Sequence, residues 1–203
     1  RIKETELINL RLQNSLREAQ LSSLANQLNP HFLFNAMNNI RFLIHENPER
    51  ADRMITELSE MLRYSLETSK KDKVLLSEEI AMIERYIDIV KIQLEERLQF
   101  SMAIAQELYH YPVPPMMLQM LVENAVKHNM ILRDSPLRIL ILTTNSNKLV
   151  VSNNLQRKDR RVYSTKVGLH YIHNKYRLMK QEEIMIRDDG KEFSVIVPLI
   201  QPA

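Results

Sequence analysis

The sequence predicts a helical hairpin followed by a two-layer α/β sandwich, an α + α/β class. Three observations predict it. Apolar residues recur at helical spacing up to about Thr68. From Leu98 the period changes to alternation, with Leu98, Phe100, Met102 and Ile104 reading as a strand. Near the end, Asp189-Gly190 separates two short alternating runs, the signature of a hairpin turn.

The elements follow in order. From Glu4 to Asn29, Leu7, Leu10, Leu21, Leu24 and Leu28 keep a 3-4 spacing, with Asn14 and Arg17 between them. That is a coiled-coil seam with a polar interruption, which specifies register at some cost in stability. The helix runs on through Met37, Ile40, Phe42 and Ile44 until Asn47-Pro48 ends it, because the residue before proline disfavours the helical region. A second helix over Glu49–Thr68 carries Met54, Ile55, Leu58, Met61, Leu62 and Leu66. Two such helices form a hairpin, and a hairpin with two exposed seams pairs with a second copy as a four-helix bundle. A solitary hairpin packed on the next domain is the other reading.

The charged hinge Ser69-Lys70-Lys71-Asp72-Lys73 marks a domain boundary, giving domains 1–72 and 73–203. Beyond it, Ser77 is the expected N-cap of a helix striped by Ile80, Ile83, Ile87, Val90 and Leu94, with Glu78 and Glu79 at its positive end. Further helices are expected over Pro115–Asn129 and Leu169–Met179. Strands are expected over Leu137–Thr143, Lys148–Val151, Glu183–Arg187 and Glu192–Val197. Helices alternating with a mostly antiparallel sheet make the sandwich.

Composition excludes several classes. A chain of 203 residues, 44% hydrophobic, buries one large core or two small ones. With no cysteine there is neither a disulfide nor a thiolate zinc site, and a reducing compartment fits. Apolar runs such as Ile139-Leu140-Ile141-Leu142 fall far short of the roughly 20 residues that span a bilayer. A net charge of +3, scattered, does not point to nucleic acid. The chain opens on Arg1, so an upstream segment is expected.

Two constellations carry chemistry. The first is Asn29-Pro30-His31-Phe32-Leu33-Phe34-Asn35. Proline within a helix removes an N–H and crowds the preceding turn, so a bend is expected beside His31, and Asn35 shares the face of His31. Taken alone, the motif reads more readily as a partly buried histidine of a core helix than as a reactive group. The second is the helix after Pro115. Leu118, Leu121, Val122, Ala125 and Val126 fall in one arc, while Glu123, Asn124, Lys127 and His128 fill the other side. An amide oxygen suits Mg²⁺, and lysine and histidine donate to phosphate oxygens. A solvated polar face with an ordinary Glu123–Lys127 pair is the plainer reading.

Together the two resemble a known family. Pro30-His31-Phe32-Leu33-Phe34-Asn35 with Asn38-Asn39-Ile40 is similar to the phosphoacceptor motif of the LytS/YehU-type sensor histidine kinases. Leu62-Arg63-Tyr64, Leu76-Ser77-Glu78-Glu79, Tyr86-Ile87 and Pro114-Pro115-Met116-Met117-Leu118-Gln119 resemble its next blocks. Val122-Glu123-Asn124-Ala125-Val126-Lys127-His128 resembles its N-box. The resemblance implies a dimerisation and histidine phosphotransfer domain followed by a Bergerat-type ATP-binding domain. It implies a homodimer that phosphorylates His31 from ATP and Mg²⁺ and passes the phosphoryl group to a response regulator. By the same resemblance Asn124 holds Mg²⁺, Lys127 and His128 touch phosphates, and Asn153, Gly168, Leu169, Asn174 and Arg177 complete the nucleotide site. Glu123 is a candidate proton acceptor. Such proteins sit behind membrane-spanning segments, which makes this chain the expected cytoplasmic part of an inner-membrane protein.

The pattern also departs from the family. Val150-Val151-Ser152-Asn153-Asn154-Leu155 has Asn153 where members carry an adenine-binding aspartate, and no glycine. Of a Gly-x-Gly-Leu segment only Gly168-Leu169 remains, and the chain holds two glycines in all. Between these, Arg157-Lys158-Asp159-Arg160-Arg161 is either a solvated loop or a cover for phosphates. The departures leave a second reading open: a catalytically silent dimeric signalling module that keeps the fold and binds nucleotide poorly.

Overall fold

The computed structural model of the chain describes residues 30–157, 167–179 and 182–202, and the side chains of all of these except 30, 31 and 167. The expected seam over Glu4–Asn29 and the basic run from Lys158 onward lie outside the described residues, as does the side chain of His31. The bend expected at Pro30 turns on residues before it, which also lie outside. The chain divides into two compact units, Arg1–Ser69 and Lys70–Ala203.

In the first unit, α1 (Pro30–Glu46) and α2 (Pro48–Thr68) pack on each other. The break between them is local chemistry. Asn47 leaves the helical region and its Oδ1 accepts the Arg50 N–H at 3.1 Å, capping α2, while Pro48 supplies a preset φ where no donor is needed. Phe32, Ala36 and Leu43 of α1 and Met54, Leu58 and Met61 of α2 are buried. Met37, Phe42 and Ile44, expected along the stripe of α1, are exposed instead. At 100° per residue Met37 and Ile44 lie about 100–120° round the helix from the buried face of Phe32, Ala36 and Leu43. With Phe34, Ile55 and Leu66 they form a second apolar set, in which Phe34 is 67% and Phe42 65% exposed.

The second unit is a five-stranded sheet with helices on one face. Its strands are β2 (Leu98–Ala103), β4 (Leu137–Thr143), β5 (Lys148–Asn154), β6 (Met185–Asp188) and β7 (Glu192–Pro198), in the order β2-β4-β5-β7-β6. β2 and β4 are parallel and every other pair is antiparallel. The helices are α3 (Leu76–Leu94), α4 (Met117–His128) and α5 (Val167–Leu178). A two-stranded ribbon joins β1 (Val74–Leu75) to β3 (Pro112–Val113) beside the starts of α3 and α4. The core lies between sheet and helices, where Leu137, Ile139, Ile141, Leu149, Val151, Val195 and Val197 meet Ile83, Ile87, Leu118, Val122 and Ile172. Gly190 adopts φ +84 in the β6–β7 turn, a conformation glycine takes at no steric cost.

Several boundaries differ from the expected ones, three of them for a visible local reason. Ser77 does not cap α3. The Leu76 and Ser77 N–H groups donate to the carbonyls of Tyr111 (2.8 Å) and Tyr109 (2.9 Å), and the Leu75 N–H donates to Glu78 Oε2 (2.8 Å), so the orphan donors are already satisfied. α4 begins at Met117 rather than Pro115, because Met116 takes a left-handed φ of 63. β5 runs on through Asn154, whose carboxamide accepts the Arg138 N–H (2.8 Å) and donates to the Pro136 carbonyl (3.1 Å) at the mouth of β4.

Candidate functional site

Everything near α4 depends on how that helix starts. Glu79, in the first turn of α3, is 1% exposed. Its Oε1 accepts the Met116 N–H at 2.7 Å and its Oε2 accepts the Leu118 N–H at 2.9 Å. A buried carboxylate carries a large desolvation cost, offset here by two charge-assisted bonds and by two helix N-termini, its own and that of α4. The same contacts hold Met116 in a left-handed conformation that disfavours a side chain by about 1 kcal/mol.

So fixed, α4 turns Leu118, Leu121, Val122 and Ala125 into the core and leaves Glu123, Asn124, Lys127 and His128 partly exposed. Gln119 Nε2 donates to Glu123 Oε1 at 2.9 Å. Burial raises the Glu123 carboxyl above its ordinary range, against the pull of Gln119 and Lys127. Burial, and after it the Glu123 carboxylate, holds the Tyr86 phenol well above its usual value. Glu123 therefore faces α3 as well as the open side.

The far end of α4 is fixed by Asn129, also 1% exposed. Its Nδ2 donates to the Ala125 carbonyl at 2.8 Å and its Oδ1 accepts the Gln156 N–H at 2.7 Å. This sets the helix end beside the chain leaving β5. On β5, Asn153 lies in register between Ile139 and Phe193 on the helix-covered face and is buried. Its Nδ2 donates to the Asn154 carbonyl at 2.7 Å, and its Oδ1 accepts no hydrogen bond among the described residues. That oxygen is an acceptor suited to an exocyclic amine.

α5 packs on α4. Gly168 lies in its first turn, where an added Cβ would stand 3.5 Å from Met120 Cβ, an ordinary contact, so helix packing alone does not require glycine there. Leu169 follows it. Asn174 is partly exposed and Arg177 exposed, on the side opposite buried Ile172 and Tyr176. Lys175 Nζ sits 2.9 Å from Asp72 Oδ1 and 5.9 Å from the centre of the Tyr171 ring. Burial raises the Tyr171 phenol; Lys175 opposes this, while the Glu79 and Asp72 carboxylates add to it. Arg157 is drawn to Asp188 Oδ2 at 2.5 Å.

Of the residues expected from the sequence, Asn124, Lys127 and His128 thus share α4, which packs against both β5 with Asn153 and α5 with Gly168. His31 belongs to the other unit. Among the described residues no group of three acidic or histidine side chains could hold a metal ion by itself. Glu79 and Asn129 escaped the sequence reading as parts of the site. Their signal, an acid and an amide at helix ends, is indistinguishable from ordinary capping until the partners 37 and 27 residues away are known.

Comparison with known proteins bears on this arrangement. Residues 19–98 match the family described as Histidine kinase. Sensor protein kinase HptS of Staphylococcus aureus (strain USA300) is 35% identical over 177 residues, which is 80% of this chain and 34% of HptS. Residues 19–98 belong to the histidine kinase family, and 80% of the chain is similar to a sensor histidine kinase. It spans about a third of the length of the curated relatives it matches. Among solved structures, the histidine kinase domain of a blue-light activated histidine kinase from Erythrobacter litoralis shares 14% identity over 89% of this chain and 94% of that chain, with TM-score 0.44. Acinetobacter baumannii histidine kinase AdeS shares 10% over 84% of this chain and 96% of that chain, with TM-score 0.43.

Two outcomes are expected for this chain. Glu79→Ala orphans two buried N–H groups and costs about 3 kcal/mol or more, seen as a lower urea midpoint. Glu79→Gln, which keeps one acceptor oxygen, costs less; an unchanged midpoint for Glu79→Ala contradicts the role assigned to the carboxylate. For Glu123 the folded pKa lies above the unfolded one, so its stabilising contribution is present below the ordinary glutamate pKa and is lost as pH rises through the folded value. The stability of Glu123→Gln relative to the parent should therefore grow from about pH 4 to pH 7. Scanning calorimetry across that range reads it, and a pH-independent difference contradicts the shift.

Proposed function

We propose that the chain is the dimeric kinase core of a two-component sensor, in which His31 takes the γ-phosphoryl group of ATP and passes it to a response regulator. The observation that carries this reading is the polar face of α4, fixed at its start by Glu79 and at its end by Asn129 beside β5, within a chain whose residues 19–98 match the histidine kinase family. Asn124 would hold Mg²⁺ together with nucleotide phosphates, and the ion would neutralise charge on the transferring group. Lys127 and His128 donate to phosphate oxygens. Asn153 Oδ1 accepts from the adenine amine, and Gly168-Leu169 with Asn174 and Arg177 line the α5 side.

The transfer needs little covalent help. A neutral His31 nitrogen attacks the γ-phosphorus, the bond to the ADP oxygen breaks, a P–N bond forms, and the proton on the other ring nitrogen passes to a base, for which Glu123 is the candidate. Phe32, which follows His31, is buried in the hairpin, so no acid stands directly beside the histidine in sequence. The exposed apolar set on α1 and α2 is the surface expected to meet a second copy as a four-helix bundle. No described helix is long and apolar enough to cross a membrane. The resemblance supports a membrane anchor outside this chain, with these domains in the cytoplasm and no part for nucleic acid. A silent signalling module is the competing reading, favoured by Asn153 in place of an acid and by the scarcity of glycine.

Incubation with γ-labelled Mg-ATP separates the two. The kinase reading expects an acid-labile phosphohistidine that His31→Gln abolishes. Label that persists in His31→Gln removes His31 from the role, and no label at all favours the silent module.

A further inference from the structure

Asn129 sits where the end of α4 meets the exit of β5, and four contacts converge there. Its carboxamide is the only side chain among the described hydrogen bonds that ties the two elements together, accepting from Gln156 N–H (2.7 Å) and donating back to Ala125 O (2.8 Å). The Met130 N–H donates to Gln156 O at 2.7 Å, and Asn129 and Arg157 form an antiparallel bridge. On the other side Gln156 Nε2 donates to the carbonyls of Ser135 (3.0 Å) and Pro136 (3.2 Å), and Arg157 is held by Asp188.

We infer that Asn129 is a positioning residue that sets nucleotide affinity by fastening the Asn124–His128 face of α4 to the Asn153–Arg157 segment. The inference rests on the nucleotide-binding reading given above. His128 precedes Asn129 directly, and Asn153 stands three positions before Gln156, so one buried amide governs the separation of the two groups that would hold opposite ends of a nucleotide. A carboxamide suits the task because it carries a donor and an acceptor on one planar group. A carboxylate would turn an acceptor toward the Ala125 carbonyl, and an apolar side chain would orphan both partners. The energetic logic is pre-organisation: without the splice, the α4 face and the segment after β5 must be brought into register when the nucleotide binds.

Calorimetric titration of Mg-ADP into the whole chain tests it. Asn129→Ala should weaken binding about tenfold and Gln156→Ala a few-fold. Gln156→Ala keeps the backbone N–H that Asn129 accepts and removes only the contacts to Ser135 and Pro136, so its loss should add to that of Asn129→Ala in the double variant. Ile141→Ala, a core change of comparable stability cost away from the splice, should bind as the parent does. Autophosphorylation at saturating ATP should stay within about twofold of the parent for Asn129→Ala while the half-saturating ATP concentration rises about tenfold. Parent-like affinity in Asn129→Ala, or equal losses in Ile141→Ala, overturns the inference. If the parent itself fails to bind, the nucleotide reading falls. Hydrogen exchange then judges the splice alone, since the Met130 and Gln156 amides must exchange faster in Asn129→Ala.

Discussion

A carboxylate buried between two helix starts is the constraint on which the second unit depends. Glu79 satisfies the Met116 and Leu118 donors, and with them the left-handed turn at Met116 and the direction in which α4 leaves the β1–β3 ribbon. That direction decides which side of α4 meets the sheet. Were α4 to rotate by one residue, about 100°, Leu118 and Val122 would leave the core and Asn124 would enter it. Glu79 is therefore a structural group with a functional consequence: it aims the polar face without touching whatever binds there.

The first unit is organised by a different balance. Asn47 and Pro48 stop one helix and start the next, and a single apolar stripe closes the hairpin. What remains is a second apolar set, with Phe34 and Phe42 open to solvent in the single chain. A surface of that kind marks an interaction site, which is how the hairpin geometry and the dimeric reading meet.

Most of the fold was legible in the sequence because it follows from period. The helical stripes of α2 and α3, the alternation of β2, the apolar run of β4 and the Asp189-Gly190 turn each declare themselves within a few residues. The α4 division into Leu118–Val122 and Asn124–His128 faces was equally plain. What could not be read were the features set by distant partners. Ser77 looks like an N-cap, but the carbonyls of Tyr109 and Tyr111 had already taken the work of a cap, and Glu78 completed it. β5 continues through Asn153 and Asn154, poor strand formers, because one amide is buried on the helix side and the other bonds across to β4. Asn129 and Glu79 carry meaning only through residues 27 and 37 positions away.

The central claim is that this glycine-poor α/β unit binds a nucleotide against the α4 face. Titration of Mg-ATP into the chain, with and without Mg²⁺ and against Asn124→Ala, tests it most directly. The account expects Mg²⁺-dependent binding at micromolar concentration, on the order of 8 kcal/mol, that Asn124→Ala weakens at least tenfold. Absence of binding, or binding indifferent to both Mg²⁺ and Asn124→Ala, would contradict it.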